Sequence, residues 1–286
     1  MPAIINTNIA SLNAQRNTSA TQLSMSTAMQ RLSSGLRVNS SKDDAAGLAI
    51  AERMQAQVRG MNVAIRNAND GISLAQTAEG AMAKVGDALQ RMRELAVQAR
   101  NATNTTEDKT SLDKEFGELA KEIQRVLGGT TFNGKAILAA ADAGTQTFQV
   151  GANTTDNDVV DVVTTDMTAA SDIKAVAGDD NQGTNRASII GDAAALKTVV
   201  DNIDKAINLV SGERATLGAA QNRFEAVISN LQVSVENQSA ARSRIMDADF
   251  ASETANLSRA QILQQAGTAM VSQANQAPQQ VLRLLQ

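Results

Sequence analysis

Apolar residues in this chain recur at alternating steps of three and four over stretches far longer than an ordinary globular helix. Met54, Val58, Met61, Ile65, Ala68, Ile72 and Ala75 form one such stripe. After an interruption at Glu79 it resumes with Met82, Val85, Leu89, Met92, Ala96 and Ala99, and the short step from Met82 to Val85 shifts the seam as a stutter does. This spacing keeps every apolar side chain on one helix face, which only a partner helix lying alongside can bury. Ser41, Asp43 and Asp44 offer N-cap chemistry before the stripe, and the polar cluster 101–106 offers a stop after it. A helix over about 44–100 would be roughly 85 Å long at ~1.5 Å per residue. No small globule holds such an element.

Two more stripes follow. Leu112, Phe116, Leu119, Ile123 and Val126 lead to Gly128 and Gly129, which read as a C-cap. Leu196, Val200, Ile203, Ile207, Val210, Leu217, Phe224, Ile228, Leu231 and Val235 keep a heptad frame broken only at Arg214 and Gln221. Between these stripes the texture changes. Phe132-Asn133-Gly134 reads as a turn, while 147–150 (TFQV) and 159–163 (VVDVV) read as short strands. The fold class is therefore mainly α: long heptad-patterned helices in a coiled-coil-like bundle, with a small β-hairpin region mid-chain. Composition agrees, since aromatics are 2% and all Phe, and only Pro2 and Pro278 break helical freedom across 286 residues.

The chain ends carry thinner stripes. Ile5, Ile9 and Leu12 form one, and Met25, Met29, Leu32 and Leu36 form another, out of frame with it by one position. At the far end Ala260, Leu263, Gly267, Met270, Ala274, Ala277, Val281 and Leu284 keep heptad spacing among Ser, Thr, Asn and Gln. Ordering a residue costs ~1–2 kcal/mol of backbone entropy, and a buried Leu returns only ~1.5–3 kcal/mol. The expectation is that both ends are disordered in the free chain and become helical only when they pack with neighbouring copies. The alternative left open by periodicity is an antiparallel pair of the two ends within one chain.

Several chemistries are excluded. The chain has no His and no Cys, so Ser–His and Cys–His nucleophiles, HExxH metal sites and disulfides are impossible. No Gly-rich phosphate loop is present, and Asp156, Asp158 and Asp161 lack the Gly and Glu of a calcium loop, so a turn or strand edge is expected there. A formal charge of −4 with both signs interspersed gives no nucleic-acid footprint. No apolar run is long enough for membrane insertion, and the N-terminus lacks the basic and apolar regions of a cleavable signal peptide. No enzyme activity, metal or cofactor is expected.

Long segments carry a resemblance. INTNIASLNAQ (5–15), QRLSSGLRVNSSKDDAAGLAIAERM (30–54), RNANDGISLAQTAEGAM (66–82) and LQRMRELAVQARN (89–101) resemble the N-terminal region of bacterial flagellins. LGAAQNRFEAVISNL (217–231), RIMDADFASETANLSRAQILQQAGTAM (244–270) and QANQAPQQVLRLL (273–285) resemble their C-terminal region. The resemblance covers about 1–150 and 195–286, in order. It implies a terminal coiled-coil domain from 1–43 and 245–286, a helical bundle from 44–130 and 191–244, and a reduced central region over 131–190. It further implies an exported, extracellular subunit that polymerises with itself into the flagellar filament. Partners so implied are an export chaperone, a filament cap and hook-junction proteins, with export through the flagellar type III apparatus. The polymerisation seam is assigned to Ile5, Ile9, Leu12, Met25, Met29, Leu32, Leu36, Leu263, Met270, Val281 and Leu284. The family's patch for the flagellin-sensing Toll-like receptor of hosts matches Leu89, Gln90, Arg91, Leu95 and Glu115, with the two leucines expected to pack and also offer an exposed contact. A flagellin-like hook–filament junction protein is the alternative, disfavoured because both ends match so closely. A secreted needle or translocator coiled coil would not explain the mid-chain hairpin.

Overall fold

The computed structural model describes residues 7–139 and 142–283, with side chains as far as 276. Its helices are α1 (Ile9–Ser34), α2 (Ala45–Ala99), α3 (Thr106–Gly129), α4 (Ser171–Ala177), α5 (Ala193–Met246) and α6 (Phe250–Arg283). Its strands are β1 (Thr131–Phe132), β2 (Lys135–Ala136), β3 (Gly144–Gln149) and β4 (Val159–Thr164). None of the helices among the described residues is long and apolar enough to cross a membrane. Two compact units result, one from 1–56 with 236–286 and the other from 57–235. Their border lies further into the long helices than the expected 43/44 and 244/245. The reason is local packing, because Val38, Ala51 and Met246 bury one another, which ties the first turns of α2 and the end of α5 to the terminal unit.

In the second unit the stripes do what their spacing predicts. Ala68, Ala75, Met82, Val85, Leu89, Met92, Ala96 and Ala99 on α2 are buried, as are Leu196, Ile203, Val210, Leu217 and Phe224 on α5. The two helices run antiparallel, for Gly71 meets Phe224, Glu79 meets Arg214 and Arg93 meets Asp204. The interruptions of the two stripes belong together. Glu79 accepts hydrogen bonds from Arg214 Nη2 (3.4 Å) and Gln221 Nε2 (3.2 Å). Phe224 presses on α2 where Gly71 has no side chain, and a Cβ there would lie 2.6 Å from Phe224 Cζ. The same ring meets Phe148 of β3 edge-on, with centroids 5.5 Å apart and planes at 85°.

Helix ends follow local chemistry with one departure. The Asp44 carboxylate accepts from the Gly47 N–H, and Thr105 with Asp108 forms a capping box ahead of α3. The expected glycine cap is absent, because α3 continues through Gly128 and Gly129 and ends at Thr130 (φ −76°, ψ 110°). Thr130, β-branched and extended, leads directly into β1, and both its N–H and its hydroxyl bond the Val126 carbonyl.

The mid-chain region is not a separate body. Asn133 (φ 50°) and Gly134 (φ 79°) make the two-residue left-handed turn joining β1 to β2. β3 and β4 pair antiparallel from Gly144↔Thr164 to Gln149↔Val159, with Val160 and Val162 facing the same core as Leu89 and Phe224. Asp158 accepts from the Thr155 backbone and hydroxyl, and Asp161 accepts from Thr147 Oγ1 across the ladder. These are turn and strand-edge roles. Among the described residues no three acidic side chains cluster for a metal ion.

Asp113 on α3 is an unforeseen anchor. Its buried carboxylate accepts from Arg186 Nη1 (3.2 Å) and Nη2 (2.6 Å), Ser188 Oγ (3.1 Å) and the Ile189 N–H (2.8 Å). Burial pushes its pKa up, but the bonds from Arg186 and Ile189, the guanidinium charge and the Ser188 hydroxyl outweigh this and hold it below the usual carboxylate value. A depressed folded-state pKa means that the stabilisation is complete above the unfolded value near ~3.9 and is lost as pH falls through the folded value.

Two outcomes follow for unfolding in denaturant. Phe224→Ala should cost the second unit about 3–5 kcal/mol, the range for emptying a buried phenylalanine site. Asp113→Asn should cost about 3 kcal/mol at pH 7, since it leaves Arg186 without its carboxylate, and the gap to the parent chain should narrow below about pH 4. A gap independent of pH would contradict the assigned role of the charge.

Candidate interaction surfaces

In the terminal unit, α1 and α6 pair antiparallel within one chain, the arrangement that the periodicity left open as the alternative. Asn8 Nδ2 donates to the Ala274 carbonyl (2.7 Å), Ser11 Oγ donates to Asn275 Oδ1 (2.8 Å), and Arg31 Nη1 bonds Glu253 Oε1 (2.9 Å). Midway, Thr18 closes on Gly267, where a Cβ would lie 2.7 Å from Thr18 Oγ1. At the base Leu36 bridges Asp247, and the Arg37 guanidinium donates to the Ile245 carbonyl.

The facing lines have heptad spacing but little apolar bulk. On α1 they are Ser11, Ala14, Thr18, Thr21, Met25 and Ala28, continuing to half-buried Leu32. On α6 they are Glu253, Leu257, Ala260, Gln264, Gly267 and Val271. Several other large apolar side chains point away from this seam. Ile9 is 65% exposed, Leu12 57%, Leu263 51% and Met270 62%, and Leu23, Met29 and Ile262 are exposed as well. Hiding each from water gains ~1.5–3 kcal/mol, so their outward placement is a cost to an isolated chain.

The expected seam residues therefore divide. Met25 and Leu32 lie on the intrachain line, and Leu36 packs beside Val38 and Met246. Ile9, Leu12, Met29, Leu263 and Met270 do not lie on it and are exposed in the single chain. The inward line of α6 keeps the expected Ala260, Gly267 and Ala274 but passes through Gln264 and Val271 in place of Leu263 and Met270. Ile5, Leu284 and the Val281 side chain lie outside the described residues. Leu23 and Ile262 were missed, although Ile262 adjoins Leu263 in sequence. Arg31 and Glu253 were missed too, yet Glu253 is the only acidic residue in either helix, which was the available signal.

On the second unit, Arg91 is exposed between two carboxylates. Its Nε donates to Glu115 Oε1 (2.9 Å) and its Nη1 to Glu94 Oε2 (3.0 Å). The bonds to Glu94 and then Glu115 hold its pKa above the usual arginine value. Gln90 is exposed beside it, and a shallow surface depression is lined by Gln90, Arg93, Glu94, Val97 and Gln98. Leu89 and Leu95 differ from expectation, being 0% exposed. They lie on the α2 core stripe with Met92, so their packing is as expected but no side-chain contact is offered to solvent.

Two family models match the chain, the bacterial flagellin N-terminal helical region over 5–143 and the bacterial flagellin C-terminal helical region over 200–285. A flagellin of Halalkalibacterium halodurans is 46% identical over 282 residues, covering 99% of each chain. The flagellar filament 33 kDa core protein of Treponema phagedenis is 40% identical over 291 residues, again covering 99% of each. A solved structure of a putative flagellar hook-associated protein from Vibrio parahaemolyticus superposes with a TM-score of 0.60 over 72% of this chain and 100% of that one. Its 12% identity makes that a likeness of fold alone. A chain of paired long helices, matched at both ends by these models and along almost all its length by these relatives, belongs to the bacterial flagellins, a family of structural proteins and not of enzymes.

Proposed function

We propose that this flagellin polymerises with copies of itself into the extracellular flagellar filament through the outward faces of α1 and α6. The observation that carries this reading is the exposed apolar row on a helix pair whose own seam is thin. Burial of Ile9, Leu12, Leu263 and Met270 against other copies supplies the apolar area that the pair lacks, so its order is reinforced by assembly. The relative named as a flagellar filament core protein supports the same role. Export as an unfolded chain through the flagellar type III apparatus, an export chaperone, a filament cap and hook-junction proteins complete the proposal. The absence of cysteine suits such a route. The hook-associated structure shares the fold only, whereas identity along nearly the whole chain favours the filament subunit over a junction protein.

Leu263→Lys with Met270→Lys should slow seeded filament growth by about tenfold or more, the equivalent of ~1.4 kcal/mol lost at the growing end. Unfolding of the second unit should be unchanged. Light scattering and negative-stain microscopy read the first effect, and normal growth would remove these residues from the interface.

Recognition by the flagellin-sensing Toll-like receptor of hosts is proposed at the Arg91 surface. Gln90, Arg91 and Glu115 supply exposed polar groups, and Leu89 and Leu95 hold that stretch of α2 from beneath. A guanidinium already set between two carboxylates is oriented before contact. Arg91→Ala should lower signalling in receptor-bearing reporter cells by about tenfold. The melting temperature should move little, because exposed ion pairs contribute ~0–1 kcal/mol. Full signalling by the variant would sink the assignment.

A further inference from the structure

Oxidation chemistry in this chain is concentrated on one residue type. Cysteine, histidine, tryptophan and tyrosine are all absent, so the ten methionine thioethers are the side chains that a peroxide attacks. The fold sorts them by access. Met61, Met82, Met92 and Met167 are buried in the second unit, and Met246 is buried beside Val38 and Ala51. Met25 and Met54 are half-buried, and Met1 lies outside the described residues. Among the described residues only Met29 and Met270 are exposed methionines, one on α1 and one on α6.

We infer that Met29 and Met270 form an oxidation site that controls assembly: a peroxide reaching the free chain converts each to its sulfoxide and blocks incorporation beside other copies. The block on assembly rests on the filament reading, whereas the selectivity of the oxidation does not. In the reaction a sulfur lone pair takes one peroxide oxygen as the O–O bond breaks. The proton on the transferred oxygen passes to the departing hydroxide, which leaves as water. Sulfur loses two electrons, and the peroxide gains them.

The product carries a strong hydrogen-bond acceptor where an apolar, polarizable group stood. Met270 lines a surface groove with Leu263, Ala10, Asn13 and Asn17. Water solvates a sulfoxide there in the free chain. Burial against another copy removes that water, and an acceptor with no donor opposite is then left unpaired. Met29 carries the same penalty on α1. The second unit is spared, because its methionines lie inside the packing that holds it together. Incorporation ends the exposure, so the sensitive interval is the life of the free chain.

The test treats the full-length free chain with dilute hydrogen peroxide, quenches it, maps sulfoxides by peptide mass spectrometry and measures seeded growth. Met29 and Met270 should oxidise before the other described methionines, and the second unit should melt unchanged. Growth should slow about tenfold or more, the equivalent of ~1.4 kcal/mol at the growing end. Methionine sulfoxide reductases for both sulfoxide epimers, supplied with dithiothreitol, should restore it. Whatever its own growth rate, a chain with Met29→Leu and Met270→Leu should lose less than about twofold on the same treatment. Met25→Leu with Met54→Leu should lose as much as the parent chain. In finished filaments Met29 and Met270 should react more slowly than in the free chain. Earlier oxidation of a buried methionine, undiminished growth of the oxidised chain, or a growth loss that the reductases leave in place would each overturn the inference. So would an equal loss in the variant lacking both exposed methionines, protection from that loss in the Met25 and Met54 variant, or equal reactivity in filament and free chain. If the untreated chain does not extend seeds, the filament reading falls and takes the block on assembly with it, while the sulfoxide map still judges the selectivity.

Discussion

A repeating apolar stripe holds two long helices together without saying which turn belongs against which. Every heptad resembles the next, so sliding by one repeat leaves much of the buried area unchanged. The whole structure depends on contacts that break this degeneracy. In the second unit they are Phe224 seated over Gly71, the Glu79 carboxylate shared by Arg214 and Gln221, and Arg93 against Asp204 at 2.6 Å. In the terminal unit they are Arg31 with Glu253 and Thr18 with Gly267. A bulky ring over a glycine works by shape, since any slide puts the ring against a side chain. The buried Glu253 carboxylate works by desolvation, since a slide strands it, whereas the part-exposed pairs of Glu79 and Arg93 add direction but little energy. Both penalise wrong arrangements more than they stabilise the right one.

That distinction explains what was legible in advance. The stripes of α2 and α5 located the helices and their buried faces because period alone decides those. The Asn133–Gly134 turn and the two strands were legible from turn chemistry and β-branched runs. The polar interruptions at Glu79, Arg214 and Gln221 were visible as breaks, yet reading them as breaks hid their meaning. Two antiparallel stripes interrupted at one level form a shared polar node, and that pairing could have been deduced once the helices were known to face each other. Gly128 and Gly129 misled for the opposite reason. A favourable cap residue does not end a helix when the following β-branched residue is already committed to a strand.

The contacts that stayed illegible join distant segments of ordinary composition. Nothing local marks Asp113 as the acceptor for Arg186, Ser188 and the Ile189 N–H, because many carboxylates and cations are scattered along the chain. Leu89 and Leu95 are a subtler case. The resemblance grouped them with Gln90 and Arg91 in one patch, but on a helix each residue points ~100° from the next, and both leucines fall on the core face. Their complete burial means that the surface above them is polar, and that its geometry is inherited from the core below. A substitution at either leucine acts on that surface through α2.

The terminal helices carry the lesson furthest. The expected inner line of α6 is right at Ala260, Gly267 and Ala274, which face α1, but Leu257, Gln264 and Val271 complete that line where Leu263 and Met270 were expected. The inner faces combine small residues with Met25, Leu32, Leu257 and Val271, held by the Arg31–Glu253 pair, the Thr18–Gly267 contact and the bonds of Asn8 and Ser11, and the apolar residues left exposed are the ones proposed for contacts with other copies. The resulting intrachain contact is weak in area and strict in geometry. A strict but thin pair presents its outward rows in one fixed orientation, which is what the proposed contact between identical chains requires.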